Sequence, residues 1–262
     1  TEWRAMVTPL ASIIGSGFLV VAPLLAYAVN GWALFAMLGI VLLAYAIGAA
    51  LRFNIRHLEP LMERDEAGPA LRWLERLSDV ALAFAYVISV AFYLRLLAAF
   101  LLRALEMADP VFANAITTAI LLFIGVWGWR HGLLGLERLE EYAVNVKLAI
   151  VAALLLGLAI YDTRWLAGGE AFILHPVEDW VHALRLLGGT LLIVQGFETS
   201  RYLADEYGTE TRIRSMRRAQ LAAAAIYLLF VGLALPLLNG YDQRPDETAI
   251  IGLSAAVALS LP

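Results

Sequence analysis

The sequence predicts an all-α integral membrane protein whose transmembrane helices form two halves. Three observations predict this class. Hydrophobic residues make up 61% of the chain and charged residues only 16%, whereas soluble domains are about half apolar and a quarter charged. The apolar residues are gathered in runs of about 20, which is the length that crosses a bilayer as a helix. Two of these runs, the first and the sixth, are interrupted near their centres by glycine and polar residues.

Seven complete transmembrane spans and the start of an eighth follow from the apolar runs. The complete spans cover residues 6–29, 32–51, 80–102, 111–129, 142–161, 184–204 and 219–238, and the eighth begins near residue 248. The polar segment 54–77, between the second and third spans, predicts one or two short helices lying against the membrane surface. Gly68 and Pro69 break that segment, and proline is well suited to the first turn of a helix.

The basic residues predict the orientation of the chain in the membrane. One set of connecting segments holds Arg4, Arg52, Arg56, Arg64, Arg72, Arg76, Arg130, Arg138, Arg201, Arg212, Arg214, Arg217 and Arg218. The opposite set holds only Arg103, Arg164 and Arg244. Because loops rich in lysine and arginine stay in the cytoplasm, the sequence predicts a cytoplasmic N-terminus and a multi-pass protein of the cytoplasmic (inner) membrane.

Several functional classes find no support in the sequence. There is no cysteine, so disulfides and thiolate metal sites are excluded. The four histidines (His57, His131, His175 and His182) are scattered without ligand spacing, and no metal site or cofactor is predicted. No nucleophile–base constellation indicates an enzyme. The basic clusters are explained by the orientation of the chain in the membrane, so no nucleic-acid partner is expected. The expected partners are the lipid bilayer and a small-molecule substrate. The sequence does not predict the oligomeric state.

The two interrupted spans are the most informative feature of the sequence. The interruption in the first span consists of Ile14, Gly15, Ser16 and Gly17, and that in the sixth of Val194, Gln195, Gly196 and Phe197. Glycine is a poor helix former, and non-helical backbone at membrane depth is tolerated only where it is buried in protein or lines a cavity. Interruptions at corresponding places in two halves are typical of a transporter's substrate site. The alternative is close helix packing, which small residues permit.

The two interruptions correspond in position if each half contains five spans. An odd number of spans inverts the second half relative to the first. The sequence therefore predicts one transmembrane domain over residues 1–262, with a first five-helix repeat at 1–161 and the start of a second, inverted repeat at 182–262.

The interruptions predict a site for a small charged molecule. Unwinding at Gly15 and Gly17 frees backbone N–H groups at the N-terminus of a half-helix, which suits a carboxylate. Free backbone groups near Gly196, including carbonyls, suit a substrate ammonium. Ser16 and Gln195 add polar side chains. Phe197 either covers the substrate or is an ordinary core aromatic.

Lys147 is the only lysine in the chain and lies inside the fifth predicted span. An ionisable residue within a membrane span indicates a functional site, and a desolvated lysine, unlike arginine, can release its proton. We therefore predict that Lys147 couples proton movement to substrate movement. The alternative is a lysine whose ammonium extends to the cytoplasmic interface.

Three further polar residues within the spans are candidates for a gate or an ion pair: Tyr93 and Arg95 in the third span, and Glu198 in the sixth. Arg95 is expected either to pair with Glu198 or bind a substrate anion, or to lie near the outer surface and pair with an acidic loop. Glu198 follows the second interruption by two residues and is a candidate gate. Its alternative role is that of a buried partner to an arginine of another helix.

Two short motifs resemble the amino acid–polyamine–organocation (APC) superfamily of transporters. Residues 14–18, Ile-Gly-Ser-Gly-Phe, resemble the glycine motif of its first helix. Residues 196–198, Gly-Phe-Glu, followed by Ala204, Asp205 and Glu206 and a basic stretch, resemble its sixth helix. The superfamily often has Asn-Pro after the paired acids, whereas this chain has Tyr207 and Gly208, which indicates a divergent, bacterial branch.

The resemblance implies a LeuT-like inverted-repeat transporter fold with ten core helices, of which this chain holds helices 1–7 and the start of 8, about the N-terminal two thirds. It also implies that third-helix side chains line the pocket. In some proton-coupled members a fifth-helix lysine takes the place of a sodium ion against the first-helix break, and Lys147 fits that position.

The function expected from these observations is secondary active transport of an amino acid or a related amine or organic cation. The coupling ion is expected to be H⁺ rather than Na⁺. The substrate site, formed at the unwound first and sixth helices, is expected to open alternately to the two sides of the membrane. Two alternatives remain at this point. One is a transporter-like sensor or scaffold that binds ligand without moving it. The other is a retinal protein, which the position of Lys147 and the lack of a carboxylate in the third span disfavour.

Overall fold

The structure is a computed structural model that describes residues 2–15, 17–104, 110–169, 177 and 179–239. These residues form helices joined by turns and short irregular segments, and no strand occurs among them. The α-helices are α1 (Glu2–Ile13), α2 (Phe18–Val29), α3 (Ala33–Glu63), α4 (Pro69–Ala104), α5 (Pro110–Ala167), α6 (Trp180–Ile193) and α7 (Thr209–Ala234). Short 3-10 helices cover Asn30–Trp32 and Phe197–Leu203. The predicted all-helical class is confirmed for this part of the chain.

Six helical segments of the described chain are long and apolar enough to cross a membrane. One of them, Phe18–Glu63, contains the second half of the first predicted span and the whole second span, joined by the turn at Asn30–Trp32. The other five overlap the third to seventh predicted spans, one segment to each span. The predicted eighth span lies outside the described residues. The chain is therefore a multi-pass membrane protein.

The prediction of separate surface helices in the polar segment 54–77 is wrong. Residues up to Glu63 continue α3, and α4 begins at Pro69 and runs into the third span. Gly68 does separate the two helices, and its carbonyl accepts from the N–H groups of Leu71 and Arg72 at 3.1 and 3.2 Å. The helices continue beyond the apolar runs because the polar segment is rich in leucine, arginine and glutamate, which are good helix formers.

The fourth and fifth predicted spans are two arms of α5. The backbone leaves helical geometry at Gly132, where φ is 65° and ψ is −167°, a conformation that is essentially restricted to glycine. Gly132 divides α5 into a first arm, residues 110–131, and a second arm, residues 133–167. The apolar stretch of the first arm is exposed, whereas the second arm packs against α1.

The centre of the bundle is formed by α1, α3 and α7. α7 packs against both other helices, and the rings of its Tyr227 and Phe230 lie 5.2 and 4.4 Å from that of Phe18 in α2. By contrast, α4 and the first arm of α5 leave most of their large apolar side chains exposed, as expected of helices that face lipid. The interruptions of the first and sixth spans lie against α7 and so belong to the buried centre.

Ion pairs join the helices at one end of the bundle. We call it the basic end, and it contains the last turns of α3 and the first turns of α4 and α7. The pairs are Arg212–Glu59, Arg201–Glu75, Arg56–Glu210 and Arg218–Glu2. Arg212 is buried, and its guanidinium donates to both oxygens of Glu59 at 3.2 and 2.6 Å. All four arginines belong to the set that the sequence predicts on the cytoplasmic side.

Candidate functional site

The first predicted span is interrupted between Ile13, the last residue of α1, and Phe18, the first residue of α2. Ile14 is buried. A Cβ atom on Gly15 would lie 3.5 Å from the Tyr93 ring of α4, and one on Gly17 would lie only 2.8 Å from Cγ2 of Ile193. Ser16 lies outside the described residues. The first break therefore contacts α4 and the end of α6.

The sixth predicted span is interrupted after Ile193. Val194, Gln195 and Gly196 separate α6 from the 3-10 helix Phe197–Leu203, and Gly196 has a φ of 116°. A Cβ atom on Gly196 would lie 2.7 Å from both the carbonyl carbon and Cβ of Ser12. The second break therefore packs directly against the last turn of α1, the helix that ends at the first break.

Phe197, which follows the second break, is 1% exposed and belongs to the hydrophobic core. In this conformer it is packed as a core aromatic. Gln195 is half-buried. Of the two residues, Gln195 is thus the one with a polar side chain that remains partly accessible beside the break.

Side chains of the sixth span already occupy the backbone groups of Gly196. The Gly196 N–H donates to Oε2 of Glu198 at 2.8 Å, and the Thr199 hydroxyl donates to the Gly196 carbonyl at 2.7 Å. Tyr86 of α4 donates to the other carboxylate oxygen of Glu198 at 3.3 Å. The sequence predicts free backbone groups near Gly196, and the structure differs because a carboxylate just after a break can cap it, as at a helix N-terminus.

The structure does not bring Arg95 to the breaks. Tyr86 and Tyr93 are two helical turns apart, and both face the breaks. Arg95 is two residues beyond Tyr93, which places it on nearly the opposite side of α4, and it is exposed. Glu198 bonds instead to Tyr86 and Gly196, and within the described residues it forms no ion pair with Arg95.

A tyrosine of α7 joins the carbonyl ends of both interrupted helices. The hydroxyl of Tyr227, which is fully buried, lies 2.9 Å from the carbonyl oxygen of Ile13 and 3.4 Å from that of Ile193. The last carbonyls of a helix lack intrahelical N–H partners. The Tyr227 hydroxyl therefore supplies the hydrogen-bond donor that these two carbonyls lose where the helices end. The sequence analysis did not identify Tyr227. Its one distinguishing feature in the sequence is that it is the single tyrosine in the apolar run of the seventh span.

A small cavity lies beside this junction. Its volume is about 20 Å³, and its lining includes Ile13, Val194, Gln220 and Tyr227. It has room for about one water molecule, whereas ligand pockets usually exceed about 300 Å³. Gln220 of α7 is buried, donates to a backbone carbonyl of α3 at 3.0 Å and accepts from Arg52. The junction is therefore closed on its α3–α7 side in this conformer.

We expect Tyr227→Phe to lower the free energy of unfolding by about 1–2 kcal/mol, because it removes the donor to buried carbonyls. The ring, and with it the packing against Phe18 and Phe230, is retained. Thermal denaturation of the purified protein in detergent measures the change. Tyr142→Phe is the matched control, since its side chain is 70% exposed. Equal midpoints for the two variants would contradict the role of the Tyr227 hydroxyl.

Lys147 extends from the second arm of α5 to the end of α1. Its ammonium donates to the carbonyl of Ala11 at 2.9 Å, in the last turn of α1, where a cation complements the partial negative charge of the helix end. Two turns earlier, Glu140 accepts from the hydroxyl of Thr8 at 3.0 Å. The ammonium thus lies against the first interrupted helix, a short distance in sequence before its break.

The junction is built from backbone hydrogen-bonding groups, and some of them are already bonded, as the Phe18 N–H is to the Gly15 carbonyl at 3.1 Å. Within the part of the chain that the structure describes, no group of three or more histidine, aspartate or glutamate residues is placed to hold a metal ion. The N-terminus of α2 faces the first break, and its N-cap residue, Gly17, supplies no side-chain cap. A helix N-terminus attracts anions, and the carbonyl ends of α1 and α6 attract cations.

Comparison with known proteins extends over the whole chain. A family model described as APC superfamily transporter matches residues 1–262. A protein of Aquifex aeolicus (strain VF5), described only as uncharacterized, is 45% identical over 264 residues, which cover 99% of this chain and 64% of that protein. The chain therefore spans just under two thirds of the length of this relative. No solved structure matches the chain.

Proposed function

The chain belongs to the APC superfamily of transporters, and on this premise we propose that it carries an amino acid or a related amine or organic cation across the cytoplasmic membrane. The transport is secondary active, coupled to protons, and proceeds by alternating access. One observation carries the proposal: the first and sixth spans are both interrupted, and each interruption packs against the end of the other interrupted helix, with Gly196 against Ser12 of α1 and Gly17 against Ile193 of α6.

The polarity of the junction supports a substrate with separate positive and negative groups. A substrate carboxylate binds at the N-terminus of α2, beside Gly15, Ser16 and Gly17, where the helix dipole is positive. A substrate ammonium binds the carbonyls of Ile13 and Ile193 in place of the Tyr227 hydroxyl, which lies 2.9 and 3.4 Å from them. An amino acid carries both the carboxylate and the ammonium that these two sets of groups bind, whereas an amine carries only the ammonium.

The closed state of the junction supports alternating access. A cavity of about 20 Å³ does not admit an amino acid, so the substrate enters a conformer in which α3 and α7 have moved apart beside the breaks. The bonds from Gln220 to the α3 backbone and from Arg52 to Gln220 then separate. Glu198 acts as a gate, because its carboxylate holds the Gly196 N–H in the closed conformer.

The position of Lys147 supports proton coupling. As an ammonium, it holds the last turn of α1 through the carbonyl of Ala11. Loss of the proton removes the charge that complements this helix end, so the protonation of one side chain can bias the position of the first broken helix.

The arginines of the basic end support a cytoplasmic N-terminus, since positively charged segments remain on the cytoplasmic side. With this orientation, residues 1–161 form the first half of a LeuT-like fold and residues 182–262 begin the inverted second half.

Uptake into liposomes by the full-length protein tests the function. The proteoliposomes are offered a panel of amino acids and amines with an imposed pH gradient, with a sodium gradient and with neither, and protein-free liposomes serve as the control. We expect one compound to accumulate only when the pH gradient is present. Accumulation driven only by sodium would overturn the coupling ion. A compound that raises the thermal midpoint without entering the vesicles would instead favour a ligand-binding sensor.

A further inference from the structure

A second groove lies outside the junction, between α3 and α7 at the basic end. Its volume is about 390 Å³, and the charged residues that line it include Arg52, Arg56, Arg214 and Arg217, with Glu210 the single carboxylate among its described lining residues. The groove is open to the surroundings of the bundle. The groove adjoins neither helix break, although one of its lining residues, Arg52, also bonds to Gln220 on the closed side of the junction.

The arginines of the groove are only partly neutralised. Arg56 bonds to both oxygens of Glu210 at 2.8 and 3.0 Å, and Arg214 lies 3.4 Å from a carboxylate oxygen of Glu2. Glu2 also pairs with Arg218. The Glu210 carboxylate thus neutralises Arg56, whereas the single carboxylate of Glu2 is divided between Arg214 and Arg218.

The other two arginines have no carboxylate partner in the described part of the chain. Arg52 bonds to the neutral side chain of Gln220 and lies over the ring of Tyr45, 4.7 Å from its centroid. Arg217 is exposed and forms no ion pair with any residue that the structure describes. A groove lined by Arg52 and Arg217 thus carries uncompensated positive charge.

The groove lies at the depth of lipid headgroups. Residues 33–51 are the apolar stretch of α3, which at 1.5 Å per residue spans roughly 28 Å, close to the hydrocarbon thickness of a bilayer. Arg52 is the first charged residue after that stretch. The neighbouring Phe53 is 60% exposed, and Leu221, one turn beyond Arg217 on α7, is 50% exposed. Positive charge and exposed apolar surface therefore meet at one level.

We propose that this groove binds the headgroup of an anionic phospholipid. The phosphate lies between Arg52 and Arg217, since guanidinium groups match phosphate oxygens in geometry and charge, and the acyl chains follow the exposed apolar faces of α3 and α7. Basic pockets between transmembrane helices at the cytoplasmic side are suited to such lipids. The exposed apolar margin favours a lipid over a soluble anion, which has no acyl chain to cover that surface.

Lipid retention by the full-length protein tests this site. The protein is reconstituted in equal amounts of phosphatidylglycerol and phosphatidylcholine and re-extracted in mild detergent, and the retained lipids are quantified by mass spectrometry. We expect a clear preference for phosphatidylglycerol, which Arg217→Gln reduces roughly fivefold, as for loss of one interfacial arginine. Arg76→Gln, which removes an exposed arginine at the same end but outside the groove, is expected to retain the preference.

Three results would overturn the proposal. An unchanged preference in Arg217→Gln, and in Arg214→Gln as a second variant, would exclude the groove. An equal loss in Arg76→Gln would indicate general surface charge rather than a site. Displacement of retained phosphatidylglycerol by millimolar inorganic phosphate, without any dependence on the acyl chain, would assign the groove to a soluble anion. None of these results bears on transport, because neither Arg214 nor Arg217 lies at the helix breaks.

Discussion

Gly196→Ala is expected to destabilise the fold by about 2–6 kcal/mol and to abolish transport. Two costs combine at this position. The backbone φ of 116° disfavours any residue with a Cβ atom by about 1–3 kcal/mol. The new Cβ atom would also lie 2.7 Å from the carbonyl carbon of Ser12, and such overpacking costs about 1–3 kcal/mol. Because the contact is with backbone, no rotation of a side chain relieves it.

Two glycines provide matched controls that separate these costs. Gly169 has a φ of 71° with no atom within 4 Å of a new Cβ, so Gly169→Ala bears only the conformational cost of about 1–2 kcal/mol. Gly189 lies within α6 and is likewise uncrowded, so Gly189→Ala is expected to stabilise the helix slightly. Thermal denaturation of the three variants measures the order. A midpoint for Gly196→Ala equal to that for Gly169→Ala would contradict the close contact between Gly196 and the end of α1.

Lys147→Ala is expected to abolish coupled accumulation. With one pH unit imposed, one-to-one coupling accumulates substrate about tenfold, since one unit is worth 1.36 kcal/mol. In Lys147→Ala we expect this ratio to fall to about one, because no side chain remains to exchange the proton beside α1. Exchange of labelled for unlabelled substrate, which needs no gradient, is expected to persist.

Lys147→Arg separates proton coupling from a purely structural role. Arginine retains a cationic donor for the Ala11 carbonyl but stays protonated. We therefore expect this variant to fold and exchange substrate like the native protein while failing to accumulate it. Wild-type accumulation by Lys147→Arg would show that the position requires only a cation, and the coupling role would then be wrong.

The places where the helices break were predictable from the sequence. Gly15, Gly17 and Gly196 interrupt otherwise apolar runs, and the structure ends α1 at Ile13 and α6 at Ile193. This prediction succeeded because helix propensity is a local property. Apolar runs do not locate the helix ends in the polar segment 54–77, because α3 continues past its apolar run to Glu63 and α4 begins before the next one, at Pro69. Hydrophobicity decides how deep a residue lies in the membrane, whereas propensity decides how far the helix continues.

The pairings around the junction were not predictable in the same way. Arg95 and Glu198 are both charged and both lie in spans, yet Glu198 is satisfied by Tyr86 and by the Gly196 N–H. The choice depends on which face of α4 turns toward the sixth span. That rotation is set by packing among several helices, and a single polar residue in an apolar helix does not reveal it.

The sequence by itself determined that this chain is a helical membrane protein and that its first and sixth spans are interrupted, because composition and glycine placement act over a few neighbouring residues. Only the tertiary structure decided what meets at the interruptions. Tyr227 bonds to a carbonyl 214 residues away, and Lys147 to one 136 residues away. Such partners depend on the relative rotation and depth of separate helices. Those are fixed by burial and packing over the whole bundle, since an unpaired carbonyl in a buried site accepts whichever donor the fold brings within reach.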